Sequence, residues 1–203
     1  MHLALEAYIK RSLSYIDEIP TSRARLLEHI AGFVVASTEG RHFAALNFIC
    51  THNSRRSQMA QVWATAAAAR FGVHGVQSFS GGTEATAFNP RAVAALQRAG
   101  FEVDGPGGDN PHYRVTYAEC GPIIECFSKM FDDPANPSEG FAAVMTCSEA
   151  DAACPFVPGA ALRVPLTYED PKAADGRPEE VSVYDERCRQ IATEMLYLFS
   201  RVT

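Results

Sequence analysis

The sequence predicts an α/β fold: a four-stranded parallel sheet with helices on both faces, preceded by an N-terminal helical extension. Three observations carry this expectation. From residue 43 onward, short apolar runs alternate with stretches of helical periodicity. Strands separated by helices join in parallel, and a parallel sheet is covered on both faces. Residues 1–42 show helical spacing only.

At 203 residues the chain suits one sizeable core and is short for two, so residues 1–203 are read as a single domain. The net charge of −6 argues against a broad nucleic-acid surface. It leaves room for a small anion site, which needs only a few groups. No apolar run approaches the roughly 18 residues of a membrane helix. The opening MHLALEAYIKRSLSYIDEIP has no basic start followed by an unbroken apolar core. It reads as an amphipathic helix rather than a signal peptide, and a cytoplasmic location is expected.

The elements follow in order. Residues 3–18 carry Leu3, Leu5, Tyr8 and Ile9 at helical spacing, and residues 21–36 carry Leu26, Leu27, Ile30, Phe33 and Val34. Pro20 separates the two, with Thr21 or Ser22 as candidate caps. This extension is expected to pack rather than to catalyse. FAALNFIC is a buried strand, SQMAQVWATAAAARFG a helix stopped by Gly72, and VQSFSGG a short strand and turn. NPRAVAALQRAGF is a helix with Pro90 in its first turn and Gly100 at its end. Residues 105–140 break the alternation with Pro- and Gly-rich turns and read as an insertion, with a hairpin in VTYAECGPIIECF. FAAVMTC and ALRVPLTY are the remaining strands. The last helix, PEEVSVYDERCRQIATEMLYLFSRV, turns Val181, Tyr184, Cys188, Ile191, Met195 and Phe199 toward the core. Trp63 is expected in the core as well.

The six cysteines are Cys50, Cys120, Cys126, Cys147, Cys154 and Cys188. In a cytosolic chain of this size they point to buried, catalytic or redox thiols rather than a disulfide framework. Cys120 and Cys126 read as structural and Cys188 as core. Cys147 and Cys154 lie seven apart, the wrong spacing for a C-x2-C zinc knuckle, and no second ligand pair accompanies them. No metal or cofactor is implied.

The chemistry sits in CTHNSRRS, residues 50–57. The strand brings Cys50 to the sheet edge, and the next helix starts near Ser57. Thr51, His52, Asn53, Ser54 and Arg55 between them suffice to wrap a loop with N–H groups pointing inward. Such a nest beside a helix N-terminus is an anion site. Its field favours the thiolate form of a central thiol, the form that attacks. Arg56 offers a planar fork for two oxygens of a tetrahedral oxyanion. Ser57 can hydrogen-bond the sulfur, and Asn53 tolerates the left-handed turn such a loop needs.

ICTHNSRRSQMAQVWA resembles the loop of low-molecular-weight tyrosine phosphatases and of the arsenate reductases that share their fold. SFSGGTEATAFNPRAVAALQRAGFEVD resembles the family's second strand and Asn-Pro helix, and the likeness resumes from FAAVMTC. About two-thirds of the chain is covered, and the family's four-stranded parallel sheet agrees with the pattern above. The resemblance implies that Cys50 is the nucleophile and that a carboxylic acid protonates the leaving group. Two Asp-Pro pairs compete, Asp133-Pro134 and Asp170-Pro171. In the family the acid follows the last strands and precedes the C-terminal helix, which selects Asp170 and leaves Asp133 a turn residue. Family loops usually have Gly where this chain has His52, and often a second Cys where it has Arg55. A disulfide within the loop is therefore excluded, and Arg55 is expected to face solvent or a carboxylate.

VMTCSEADAACPFVPG resembles the redox segment of thioredoxin-coupled arsenate reductases. This implies a relay in which Cys147 attacks a Cys50–arsenic adduct and Cys154 then attacks Cys147. Lys172, Ala173 and Ala174 follow Asp170-Pro171 where phosphatases of the family usually have aromatics, with Tyr168 just before as a partial substitute. The reading is thus an arsenate reductase with a thioredoxin-like reductant as partner. A low-molecular-weight protein tyrosine phosphatase acting on phosphotyrosine or another phosphate ester is the alternative. A non-catalytic binder of oxyanions or phosphopeptides is the third, against which Cys50 with a plausible acid argues.

Overall fold

A computed structural model describes residues 1–39 and 43–202. The end of the expected extension, residues 40–42, lies outside the described residues. Helices α1 (Leu3–Leu13) and α2 (Thr21–Thr38) flank a 3-10 turn at Ile16–Glu18. The cap position of α2 is Pro20 rather than Thr21 or Ser22, and its carbonyl accepts from the N–H groups of Arg23 and Ala24, both at 2.9 Å. Leu5, Ile9, Leu27, Ile30 and Val34 are buried. Each such side chain contributes about 1.5–3 kcal/mol.

Strands β1 (Ala44–Cys50) and β2 (Val76–Gly82) are joined through α3 (Arg56–Arg70). After α4 (Pro90–Ala99), three short strands form a separate antiparallel sheet: β3 (Glu102–Asp104), β4 (Tyr113–Thr116) and β5 (Ile124–Cys126). The expected hairpin is β4–β5, and β3 extends it. The chain then returns to the main sheet as β6 (Phe141–Met145), α5 (Ser148–Ala153), β7 (Ala160–Pro165) and α6 (Glu180–Ser200). The main sheet has the order β2-β1-β6-β7, all parallel.

Side chains alternate across this sheet. Leu46, Phe48, Ala142 and Val144 enter the large core with α1–α4 and α6, while Ile49, Ala143 and Met145 enter a smaller cluster with α5. Helices therefore cover both faces, unequally. Tyr184, Cys188, Ile191, Met195 and Phe199 are all 0% exposed. Val181 (52% exposed) and Leu3 (86%) do not reach the core. Both lie at the first turns of their helices, where no neighbouring element covers them. No helix among the described residues is long and apolar enough to cross a membrane.

Trp63 is fully buried on α3, between Tyr8 of α1 (ring centroids 5.5 Å) and Phe101 (4.8 Å), with its N–H directed at Cys188 Sγ at 3.2 Å. Trp63→Ala is expected to lower stability by about 3–5 kcal/mol through lost contacts and the cavity left behind. Urea unfolding should show a lower midpoint with an unchanged slope.

Candidate active site

The chain leaves β1 for β2 on one side, and β6 later joins on the other. Such a switch in strand order opens a crevice at the carboxyl end of the central strand, where open α/β sheets bind ligands. Cys50 is the last residue of β1.

Its thiol is 3% exposed, with Sγ 3.1 Å from Ser57 Oγ in the first turn of α3. Asn53 adopts φ 45°, in the left-handed region that Asn tolerates. Its Nδ2 donates to Ser57 Oγ at 2.9 Å. The Ser57 hydroxyl, already an acceptor there, can aim its proton at the sulfur. Asn53 Oδ1 accepts from the Lys129 N–H (2.9 Å) and Gln58 Nε2 (3.2 Å). The loop carbonyls are taken from outside: His52 O by Ser128 Oγ (2.9 Å) and Thr86 Oγ1 (3.1 Å), and Ser54 O by the Asn89 N–H (2.8 Å). These contacts fasten the loop to the segments around Thr86, Asn89 and Ser128. Gly82 lets the loop pass close by: a Cβ there would lie 2.7 Å from Thr51 O and 2.8 Å from Asn53 N.

Arg56 is 5% exposed and spans to the loop after β7, donating to Tyr168 O at 2.9 Å and Asp170 Oδ2 at 2.8 Å. Asp170 also caps the 3-10 turn Pro171–Ala174, its Oδ1 accepting from the Lys172 N–H at 3.0 Å. Of the two Asp-Pro candidates, Asp170 lies at the loop. Asp133 closes a turn, its Oδ1 accepting from the Ala135 N–H at 2.9 Å. Arg55 turns to carboxylates, 3.9 Å from Asp170 and 3.8 Å from Asp175, and donates to Tyr184 Oη at 3.0 Å. Burial pushes the Tyr184 hydroxyl up to about 12. His52 sits at the rim, 3.5 Å from Glu84. The Tyr168 ring, expected as a partial wall, is instead buried beneath Arg23, and at the site Tyr168 offers only its backbone carbonyl.

Cys147 is buried in the same cluster as Cys50 and caps α5, its Sγ 3.3 Å from the Ala150 N–H and 3.4 Å from Thr51 Oγ1. Burial raises its thiol pKa, opposed by Thr51, the Ala150 N–H and Arg56. Cys154 follows α5 at its far end, partly exposed, its carbonyl accepting from Arg163 Nε at 3.0 Å. Cys126 and Cys188 lie fully buried away from the loop, each pushed up to about 12 by burial, while Cys120 is exposed. Sequence reasoning missed Tyr184, Asp175, Ser128 and Lys129. Each reaches the loop or its acid from a distant element, with no spacing in the sequence to announce it.

The family model for low molecular weight phosphotyrosine protein phosphatase matches residues 45–110. An arsenate reductase of Brevibacillus brevis is 31% identical over 139 residues, covering 68% of this chain and 84% of that protein. One from Bacillus subtilis is 30% identical over 142 residues, covering 70% and 84%. Among solved structures, a YwlE mutant from Bacillus subtilis superposes with a TM-score of 0.53 at 16% identity, covering 78% of this chain and 98% of that one. A low molecular weight phosphotyrosine phosphatase from Vibrio cholerae superposes at 0.51 and 16% identity, covering 77% and 95%. With the fold, the loop and these relatives in agreement, the chain belongs to the low molecular weight phosphotyrosine protein phosphatase family.

Proposed function

We propose that this protein is an arsenate reductase in which Cys50 attacks arsenate held by the loop N–H groups and Arg56. Asp170 protonates the departing oxygen as the Cys50–arsenic bond forms. Cys147 then attacks Cys50 Sγ. The new S–S bond takes its place as the S–As bonding pair passes to arsenic, which leaves as arsenite. Cys154 attacks Cys147, freeing Cys50, and a thioredoxin-like dithiol reduces the resulting Cys147–Cys154 disulfide.

The observation that carries this reading is the placement of Cys147, one hydrogen bond from the residue after Cys50. The curated relatives named above are arsenate reductases. The stretch Lys172–Ala174, without an aromatic side chain, and the Tyr168 ring turned into the core suit a small inorganic oxyanion better than a phenyl ring. The second reading is a phosphate-monoester hydrolase using Cys50, Arg56 and Asp170 alone, favoured by the Asp170–Arg56 contact, which needs no relay. Arsenate should drive NADPH oxidation when the protein is supplied with thioredoxin and thioredoxin reductase. Aryl phosphate hydrolysis with no arsenate-dependent oxidation would establish the hydrolase instead.

A further inference from the structure

The loop that carries Asp170 is held from two sides. Beyond β7 the carbonyls of Thr167 and Tyr168 are taken by arginines of two different helices. Tyr168 O accepts from Arg56 at 2.9 Å, on the side of the oxyanion loop. Thr167 O accepts from Arg23 Nη1 at 2.9 Å, on the side of α2. Arg23 is fixed by Glu194 of α6, a two-pronged pair at 2.6 and 2.8 Å, and its guanidinium lies over the Tyr168 ring at 5.0 Å. The Glu194 side chain is 3% exposed, so the pair is a buried anchor rather than a surface contact. Asp170 lies two residues beyond this grip.

We infer that Arg23, set in the N-terminal helices, is a positioning residue that fixes the height of Asp170 above the oxyanion loop. It does so by clamping the Thr167–Tyr168 backbone with Glu194 as its base. The inference rests on Asp170 being the proton donor, whichever oxyanion is the natural substrate. Loss of the clamp frees the Thr167 carbonyl and lets the acid swing away from the departing oxygen. The loop, Cys50 and Arg56 stay in place. The penalty then falls on reactions that need the proton, not on binding.

Arg23→Met alone would strand a buried Glu194, so the test uses the paired variant Arg23→Met/Glu194→Met, which removes both charges together. The probe is a series of aryl phosphates whose phenols span pKa values from about 5 to 10, for which proton donation matters least and most. The paired variant should lose about tenfold in kcat/KM on phenyl phosphate and stay within about twofold of wild type on the most acidic phenol. In an Asp170→Asn background, which should show the steepest dependence on the leaving group, the paired change should add nothing. An equal loss across the series, or a persisting effect in Asp170→Asn, overturns the clamp while leaving the acid in place. An Asp170→Asn protein with a flat series overturns the acid assignment and the clamp with it.

Discussion

Cys154→Ser should release one arsenite per chain and stop, whereas Cys147→Ser should release none. Both should hydrolyse aryl phosphates within about twofold of wild type, because neither thiol takes part in that reaction. The two outcomes differ because, in the proposed relay, the thiols act in sequence: Cys147 is needed for the first S–S bond and Cys154 only for its transfer. Thiol titration and mass spectrometry of stalled Cys154→Ser should show two thiols lost and a Cys50–Cys147 link. The Cys147 thiol is raised above its ordinary range by burial, so the first transfer should speed up with pH across the neutral range, as the thiolate fraction grows. The second transfer demands movement. Cys147 and Cys154 sit at opposite ends of α5, roughly 10 Å apart at the 1.5 Å rise of a helix. A disulfide needs its Cα atoms within about 7 Å. For the proposed transfer helix α5 would have to unwind, and Arg163, which holds Asp151 and the Cys154 carbonyl, would have to let go. Equal arsenate turnover by wild type and both variants would end the relay.

Cys50→Ser should abolish both activities, by about 10⁵-fold or more, while phosphate binding survives. The hydroxyl would occupy the same buried position beside Ser57, but at neutral pH it is not ionised and no base adjoins it. The N–H nest and Arg56 are untouched, so isothermal titration with phosphate should give an affinity within a few-fold of wild type. Turnover that persists in this variant would place the nucleophile elsewhere. A wild-type protein that binds phosphate but turns over neither substrate would make it an oxyanion binder.

The turn from Cys50 to Ser57 and the parallel sheet were legible in the sequence because they are local. Continuous apolar runs mark strands buried on both faces, and Cys50 through Ser57 form one contiguous turn between a strand and a helix. Every group that turn needs lies within eight residues. Asp170 over Asp133 was reached through chain order in a resembling family rather than through any local property, since both sit in Asp-Pro turns. The failures were equally physical. Leu3 and Val181 fit a helical stripe, but periodicity does not say where the neighbouring element ends. Tyr168 stands two residues before Asp170, yet sequence proximity does not say which element a ring packs on, and its ring went to Arg23 of α2 rather than to the site.

By itself the sequence determined the α/β architecture and the order of its pieces: the Cys50–Ser57 turn between a strand and a helix, and the thiols of Cys147 and Cys154 after a later strand. Only the tertiary structure decided what surrounds them. It set Cys147 against Thr51, turned Arg55 to the carboxylates near Tyr184, laid residues 127–133 along the edge of β2 behind Asn53, and brought α2 to the backbone before Asp170. These contacts join residues 76 to 144 positions apart, between elements whose patterns record only that each must bury a face. Which faces meet depends on packing the whole chain at once.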